Sequence, residues 1–548
     1  MKDISNLIQP SIDKSEIVGA AVAILQDGQI VHTGGFGQTT NAGHGIPITD
    51  KTLFVYGSIA KNVCAALIMR LVEQNLLDLD RPILTYLPDL EFSNPLYGKR
   101  ITLRHLLSHT TGLPSAGKDF GPRDPDALRR FVYEQIPHYK FLAEPGKVHL
   151  YSSTVLCIAG HIAEVVTGKY YDDLVRELVF EPLQMTRTTF DPTGAMTYPL
   201  ALPHEVNTQG EVSVSHKLMI NASGNPSGFG YTCATDLANL AQMYLNDGLF
   251  GGDQFLTPES VKEMQKMERS CLTDQAIPPH GHGFLGYGLG FEISQYRGKE
   301  MVGHGGIQLS YNCTFRLFPN ENAAVVVLSH YAPMGAGWQV MKSLFDYALD
   351  LPKPKSLKAI DYRPELISLK EKELQQYVGS FLNVEVGHLV KFSVDQERLL
   401  LEELGEESKI LDAVGKHQFC LIIEELYLQP ITFAENDNGA ITHVMIGGEP
   451  YFHIKLNEVL QPDPHQWEVF EGVYQDPSNK NIDETLSIRI KDNELFVSEG
   501  SNEFKMHPID HHSFLTEIGL IEFEGDFENK GSIILMLGKA VCYYPKSI

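Results

Sequence analysis

Apolar positions fall into two regimes along the chain: long apolar runs and helix-spaced repeats up to about residue 350, and short alternating segments beyond it. Ala20-Ala21-Val22-Ala23-Ile24-Leu25, a turn at Asp27-Gly28 and Gln29-Ile30-Val31-His32 predict a hairpin over Val18 to Phe36. Thr52 to Val55 is extended. A helix is predicted from about Val63 to Leu76, because Leu67, Ile68, Leu71 and Val72 recur on one helix face and Pro82 prevents continuation. A short helix within Ile101 to Pro114 is closed by Gly112 and Pro114, and the chain turns again at Glu144-Pro145-Gly146. Val155 to Val166 predicts a long apolar helix stopping at Thr167-Gly168, and Asp236-Leu237-Ala238-Asn239-Leu240 opens another. Gly286 to Phe291 and Met301 to Leu317 read as strands with glycine-rich turns. Ala323-Ala324-Val325-Val326-Val327-Leu328 is apolar throughout, which places it centrally in a sheet.

Leu351-Pro352-Lys353-Pro354-Lys355 reads as a linker, after which helical periodicity fades. An internal repeat then recurs at an offset of about 95 residues. Tyr377-Val378-Gly379-Ser380-Phe381 matches Phe470-Glu471-Gly472-Val473-Tyr474, and Phe392 to Asp395 with Leu399-Leu400-Leu401 matches Ile488 to Asp492 with Leu495-Phe496-Val497. His417-Gln418-Phe419 matches His512-Ser513-Phe514, and Leu460-Gln461-Pro462-Asp463-Pro464 forms the joint. Two small antiparallel β domains, each a barrel or curled sheet, follow from this pattern.

Composition narrows the function. The 548 residues are 43% hydrophobic and 21% charged, which is globular, and the net charge of −25 argues against a nucleic-acid surface or an anionic-membrane patch. No apolar run approaches the roughly 20 residues of a membrane span. The N-terminus lacks the basic segment and apolar core of a signal peptide. Seven scattered cysteines without a C-x-x-C suggest free thiols in a reducing compartment, so a cytoplasmic location is expected.

The candidate chemistry begins at Tyr56-Gly57-Ser58-Ile59-Ala60-Lys61. Gly57 permits a tight strand-to-helix turn, Ser58 falls on the first helical turn, and Lys61 at i+3 shares its face. Free backbone N–H groups and the positive end of the helix dipole then point at whatever Ser58 attacks. A serine hydroxyl needs a neighbouring base, and a lysine serves only if burial or a nearby cation depresses its pKa. Alone, an S-x-x-K match is equally an exposed helix with a surface lysine. His280-Gly281-His282 has no third ligand at sensible spacing and reads as a solvent loop rather than a metal site. No metal or cofactor is expected. His109 is read as holding a turn, and Cys64 as a small core residue.

Ser58-Ile59-Ala60-Lys61, Tyr151-Ser152-Ser153 and His304-Gly305-Gly306 stand in the order and approximate spacing of the three active-site elements of serine β-lactamase-like hydrolases. Val18 to Ala23, Leu106 to Pro114 and Glu181-Pro182-Leu183-Gln184-Met185 add to the match. Residues from about 10 to 345 thereby resemble the branch of class C β-lactamases, D-aminopeptidases and esterases. The resemblance implies an α/β (α+β) catalytic domain with an antiparallel sheet flanked by helices, followed by two all-β barrel-like domains. The expected boundaries are 1–350 for the hydrolase domain, 351–365 for the linker, and 366–458 and 459–548 for the β domains.

The resemblance also implies roles. Ser58 forms an acyl-enzyme, and Tyr151 with Lys61 handles its proton, the formal base being left open. The backbone N–H groups of Ser58 and Ile307 form the oxyanion hole, while Ser153, His304, Gly305 and Gly306 meet the substrate. Tyr151 and His304 also fit plain core roles, as a helix-capping aromatic and a buried imidazole. Two departures bear on substrate choice: the third element usually opens with Lys, here His304, and the second usually carries Asn where this chain has Ser153. The expected function is a peptidase or amidase on small D-residue-containing or unusual peptides. The alternatives are a carboxylic esterase, a β-lactamase, and a non-catalytic binding protein on the same fold. The expected partner is a small-molecule or short-peptide substrate, with no nucleic acid and no membrane; a homo-oligomer is left open.

Overall fold

A computed structural model describes residues 4–14, 17–115, 124–206, 212–217, 220–270, 283–330, 334–352, 366–383, 388–403, 408–423, 427–435, 439–446, 449–454, 467–475, 485–491, 494–499, 502–508, 513–516, 519–526, 530–537 and 540–545. The chain divides into two compact units, the first built on residues 1–113, 119–270 and 279–357 and the second taking in 358–548.

The first unit is organised on an antiparallel sheet of eight strands: β1 (Gly19–Gln26), β2 (Gln29–Gly37), β3 (Arg269–Ser270), β4 (Gly283–Tyr287), β5 (Glu292–Tyr296), β6 (Lys299–Gln308), β7 (Tyr311–Phe318) and β8 (Ala323–His330). Their order is β2-β1-β8-β7-β6-β5-β4-β3. The predicted hairpin is β1–β2, and Asp27 and Gly28 take the paired positive φ values, 49° and 68°, of a tight two-residue turn. The uniformly apolar segment is β8, buried along its whole length between β1 and β7.

Five helices matter for the site and core: α1 (Ser5–Asp13), α2 (Ala60–Glu73), α3 (Ser153–Thr167), α4 (Ala234–Leu245) and α5 (Met334–Ala348). Alternate residues explain why β1 and β8 are apolar on both faces. Ala20, Val22 and Ile24 of β1 join Ala323, Val325 and Val327 of β8 in a core with Ile8 of α1 and Leu344 and Phe345 of α5. On the opposite face α4 lies against β1 and β8. α2 begins three residues before the predicted start, because a 3₁₀ turn at Gly57–Ile59 runs straight into it. From Ala60 to Met69 it is buried at every position, so its apolar stripe understates its burial. α3 ends where predicted, with Gly168 left-handed at φ 69°.

Two strand expectations are redrawn. Gly286 to Phe291 spans the end of β4 and a turn through Gly290 at φ 76°, with a further strand, β5, starting at Glu292. Met301 to Leu317 divides into β6 and β7, the chain reversing at Leu309 with φ 50°.

The second unit contains a closed antiparallel barrel of eight strands, from Gly379–Asn383 to Glu449–Ile454, the first pairing with the last at Ser380↔Ile454. Tyr377, Phe381, Phe392, Phe419 and Phe433 fill it. Beyond it come a four-stranded and a five-stranded antiparallel sheet sharing a core of Trp467, Phe470, Leu486, Phe514 and Phe523. The repeat shows in the matching starts: the 3₁₀ turn Gln375–Tyr377 leads into Gly379–Asn383 as Glu468–Phe470 leads into Gly472–Gln475. Residues 353–365, the 460–464 joint, His512 and the His280-Gly281-His282 segment lie outside the described residues. No helix among the described residues is long and apolar enough to cross a membrane.

Candidate active site

The site starts at a turn. Phe54–Val55 pairs with Tyr231–Thr232, Gly57 reverses the chain at φ 54°, and Ser58 sits in the 3₁₀ turn before α2. β6 crosses this turn at very short range. A Cβ on Gly306 would lie 2.0 Å from the Tyr56 carbonyl oxygen, and one on Gly57 would lie 2.9 Å from the backbone nitrogen of Ile307. Glycine at both positions is what lets the strand's backbone come beside Ser58.

Lys61, one turn into α2, is 0% exposed. Its Nζ reaches Ser58 Oγ at 3.1 Å, the Ser227 carbonyl oxygen at 2.6 Å and Ser153 Oγ at 3.4 Å. Three acceptors match the three protons of an ammonium, as a buried cation requires. Tyr151 comes from the extended stretch before α3. Its hydroxyl and Ser58 Oγ are 2.8 Å apart, and its ring centroid lies 4.8 Å from Lys61 Nζ. Ser58 Oγ therefore accepts from the Tyr151 hydroxyl and from Lys61 Nζ, a pair that, once it has lost one proton, can take the proton of the nucleophile and return it to a leaving group.

The strand side is built differently. His304 is buried, 2% exposed. Its Nδ1 lies 2.5 Å from the Gly305 carbonyl oxygen, which can only accept, so Nδ1 carries the proton. Nε2, 2.9 Å from the Tyr287 hydroxyl, then accepts from it. Burial pushes the imidazole down to about 4, against the opposing pull of Glu292, so it is neutral at pH 7. For Glu292, burial favours the neutral acid, but His304, Arg316 and Lys61 outweigh it and hold the carboxyl at about 2. Glu292 bonds Arg316 at 2.5 Å and approaches His304 Nδ1 at 3.5 Å. Along the same strand Gly306 is buried, while Ile307 is 65% exposed.

The structure thus brings Ser58, Lys61, Tyr151 and Ser153 together, sets the Gly305–Ile307 backbone beside them and turns the His304 ring inward. Sequence reasoning missed the Ser227 carbonyl, since no side-chain pattern announces a backbone acceptor. It also missed Tyr287, Glu292 and Arg316. The pairings Glu292↔Gly303 and Gly303↔Arg316 align the two charges across β5, β6 and β7. A lone charge in each of two otherwise buried strands was the available signal. Cys64 is a buried core residue, its thiol pushed up to about 12 by burial. Among the described residues no cluster of three or more His, Cys, Asp or Glu is arranged to hold a metal.

A family model described as Beta-lactamase matches residues 4–342, a span that holds all three stretches. Penicillin-binding protein 4 of Amycolatopsis lactamdurans is 28% identical over 317 residues, 57% of this chain and 81% of that protein. Protein flp of Staphylococcus aureus (strain MW2) is 23% identical over 342 residues, 61% of this chain, and the chain spans 64% of its length. Among solved structures, SurE superposes with a TM-score of 0.64 at 21% identity, covering 82% of this chain and 98% of that one. D-amino acid amidase from Ochrobactrum anthropi SV3 gives a TM-score of 0.52 at 21% identity, covering 63% and 98%. At these identities the structural matches show a shared fold.

Proposed function

This chain belongs to the beta-lactamase family, and from that premise we propose that it is a serine hydrolase working through an acyl-enzyme on Ser58. The contact of Ser58 Oγ with both Tyr151 and Lys61, at 2.8 and 3.1 Å, carries the reading. Oγ attacks an acyl carbon while its proton passes to the Tyr151–Lys61 pair in its once-deprotonated form, either directly to a Tyr151 phenolate beside the Lys61 ammonium or through the Tyr151 hydroxyl to a neutral Lys61 amine. The backbone N–H groups of Ser58 and Ile307 hold the developing oxyanion. The proton then goes to the leaving amine or alcohol, and water releases the acyl group by the reverse sequence.

The substrates we propose are amides of small D-residue-containing or otherwise unusual peptides. A neutral, buried His304 supplies no cation for a substrate carboxylate, and the net charge of −25 disfavours anions at long range. Two similar folds are described with D-residues: D-amino acid amidase, and SurE in complex with D-Leu. Carboxylic esters are the second reading, favoured by Ser153, whose hydroxyl lies 3.4 Å from Lys61 and cannot offer the amide donor and carbonyl of an asparagine. The described cysteines are free and buried, which supports a reducing compartment such as the cytoplasm.

A panel of D- and L-amino-acid p-nitroanilides, p-nitrophenyl esters and nitrocefin tests this. The D-anilides are expected to exceed nitrocefin in kcat/KM by at least about tenfold. Turnover of esters alone would select the second reading, and nitrocefin as the fastest substrate would overturn both.

A further inference from the structure

The stretch Leu106 to Pro114 has so far been given no part in the chemistry, yet its His109 lies directly behind Tyr151. His109 is fully buried and takes a left-handed backbone, φ 55°. Its carbonyl oxygen accepts the N–H of Leu150 at 2.8 Å. Its Nδ1 accepts the N–H of Ser152 at 3.2 Å. The residues on both sides of Tyr151 are thus tied to this one residue. Its ring centroid is 4.6 Å from that of Tyr151, and it meets Tyr287 edge-on at 4.7 Å. Flanking bonds hold the same two segments together, Gly146 N–H to the Thr110 carbonyl at 2.7 Å and Leu142 N–H to the Gly112 carbonyl at 2.8 Å.

We infer that His109 is a positioning residue that fixes the Tyr151 hydroxyl against Ser58, an inference that rests on the proposed role of Tyr151. The reasoning is geometric. Tyr151 stands on an extended stretch, where peptide rotation would swing a long side chain by more than a hydrogen bond tolerates, and a misplacement of about 1 Å can cost about 100-fold in rate. Two backbone bonds on either side of one residue restrain that rotation, and a ring against the phenol restrains its χ angles. Because Nδ1 accepts an N–H, the neutral ring carries its proton on Nε2, and a proton on Nδ1 would face the Ser152 N–H and remove the clamp.

Asparagine and glycine separate the parts. Both tolerate the left-handed backbone. His109→Asn keeps an acceptor near the place of Nδ1 and loses the ring; His109→Gly loses both. The experiment measures kcat, KM and thermal midpoint for both variants, with Tyr151 intact and in the Tyr151→Phe background, on a p-nitroanilide or ester the wild type turns over. With Tyr151 intact, His109→Gly is expected to lower kcat about 30-fold with KM changed less than about threefold, and His109→Asn to stay within about fivefold of wild type. In the Tyr151→Phe background neither should change kcat by more than about twofold, because the hydroxyl they position is gone. Equal losses in both backgrounds would mark a purely structural role and overturn the inference. So would an unimpaired His109→Gly, or, should that variant not fold, a His109→Asn that lowers kcat equally with Tyr151 intact and in the Tyr151→Phe background. If Tyr151→Phe itself keeps the full rate, the reading of Tyr151 fails and the positioning role falls with it, an outcome distinct from a slow Tyr151→Phe beside a fast His109→Gly.

Discussion

Ser58 has a helix side and a strand side, and the chain equips them by different means. On the helix side two side chains touch Oγ, Tyr151 at 2.8 Å and Lys61 at 3.1 Å. On the strand side β6 meets the turn with its backbone, close enough that Gly306 admits no Cβ, while His304 turns inward to Tyr287 and Glu292. Proton handling needs groups whose ionisation can change, and these come from side chains in short sequence patterns. Holding an oxyanion needs fixed dipoles, and a strand backbone supplies them without any characteristic residue except the glycines that let it approach.

The largest expected effect is on the helix side. Ser58→Ala should reduce turnover by at least about 10,000-fold while shifting the thermal midpoint by no more than about 2 °C, since the 3₁₀ turn accepts alanine. Residual turnover near wild type would dissolve the distinction between the two sides.

That side was also the more legible. Ser58, Lys61 and the helix that follows the Ser58 turn can be read from i, i+3 spacing and one glycine, and the uniformly apolar β8 announced its own central place. The partners of His304 were not legible. Glu292 and Arg316 are brought to it by register across three strands, which only the folded sheet defines. Burial of the imidazole was equally hidden, since a histidine between glycines reads the same whether it faces water or the core. The barrel's aromatic interior was foreshadowed by the alternating pattern, whereas its closure, Ser380↔Ile454, is a long-range pairing that local alternation does not encode.

Next in size is the coupling of the two proton-handling groups. Lys61→Met and Tyr151→Phe should each lower kcat by about 1,000-fold, and the double variant should be little worse than either. Additive losses, read from the double-mutant cycle, would show two independent contributions. The strand side is tested by Gly306→Ala, whose Cβ would lie 2.0 Å from the Tyr56 carbonyl oxygen. The strand must retreat, so a loss of about 100-fold in kcat and about 1–3 kcal/mol in stability is expected, measured by kinetics and urea unfolding. Full activity in this variant would show that the backbone approach is dispensable.

The smallest effect is a pH dependence of stability. Folded His304 is held at about 4 against 6.5 for an ordinary histidine. Between those values the unfolded chain binds a proton that the folded protein refuses, so stability falls as pH drops from about 6.5 to 4. Glu292, held at about 2 against 4.5, adds a loss that begins only as pH falls through about 4.5. Unfolding midpoints at pH 7.5 and 5.0 should show the first loss, and His304→Gln should reduce it without abolishing it, because His330, also held at about 4 by burial, adds a loss over the same range. An unchanged slope in that variant would mean that His304 is not the neutral partner described.

The central claim is that Ser58 is the nucleophile activated by its two neighbours, and covalent labelling tests it most directly. The full-length protein is incubated with a fluorophosphonate and the adduct located by peptide mass spectrometry, with Lys61→Met and Tyr151→Phe in parallel. The account predicts a single adduct on Ser58, formed far more slowly in both variants. An adduct on another serine, or labelling of Ser58 at an unchanged rate without Lys61 and without the Tyr151 hydroxyl, would contradict it.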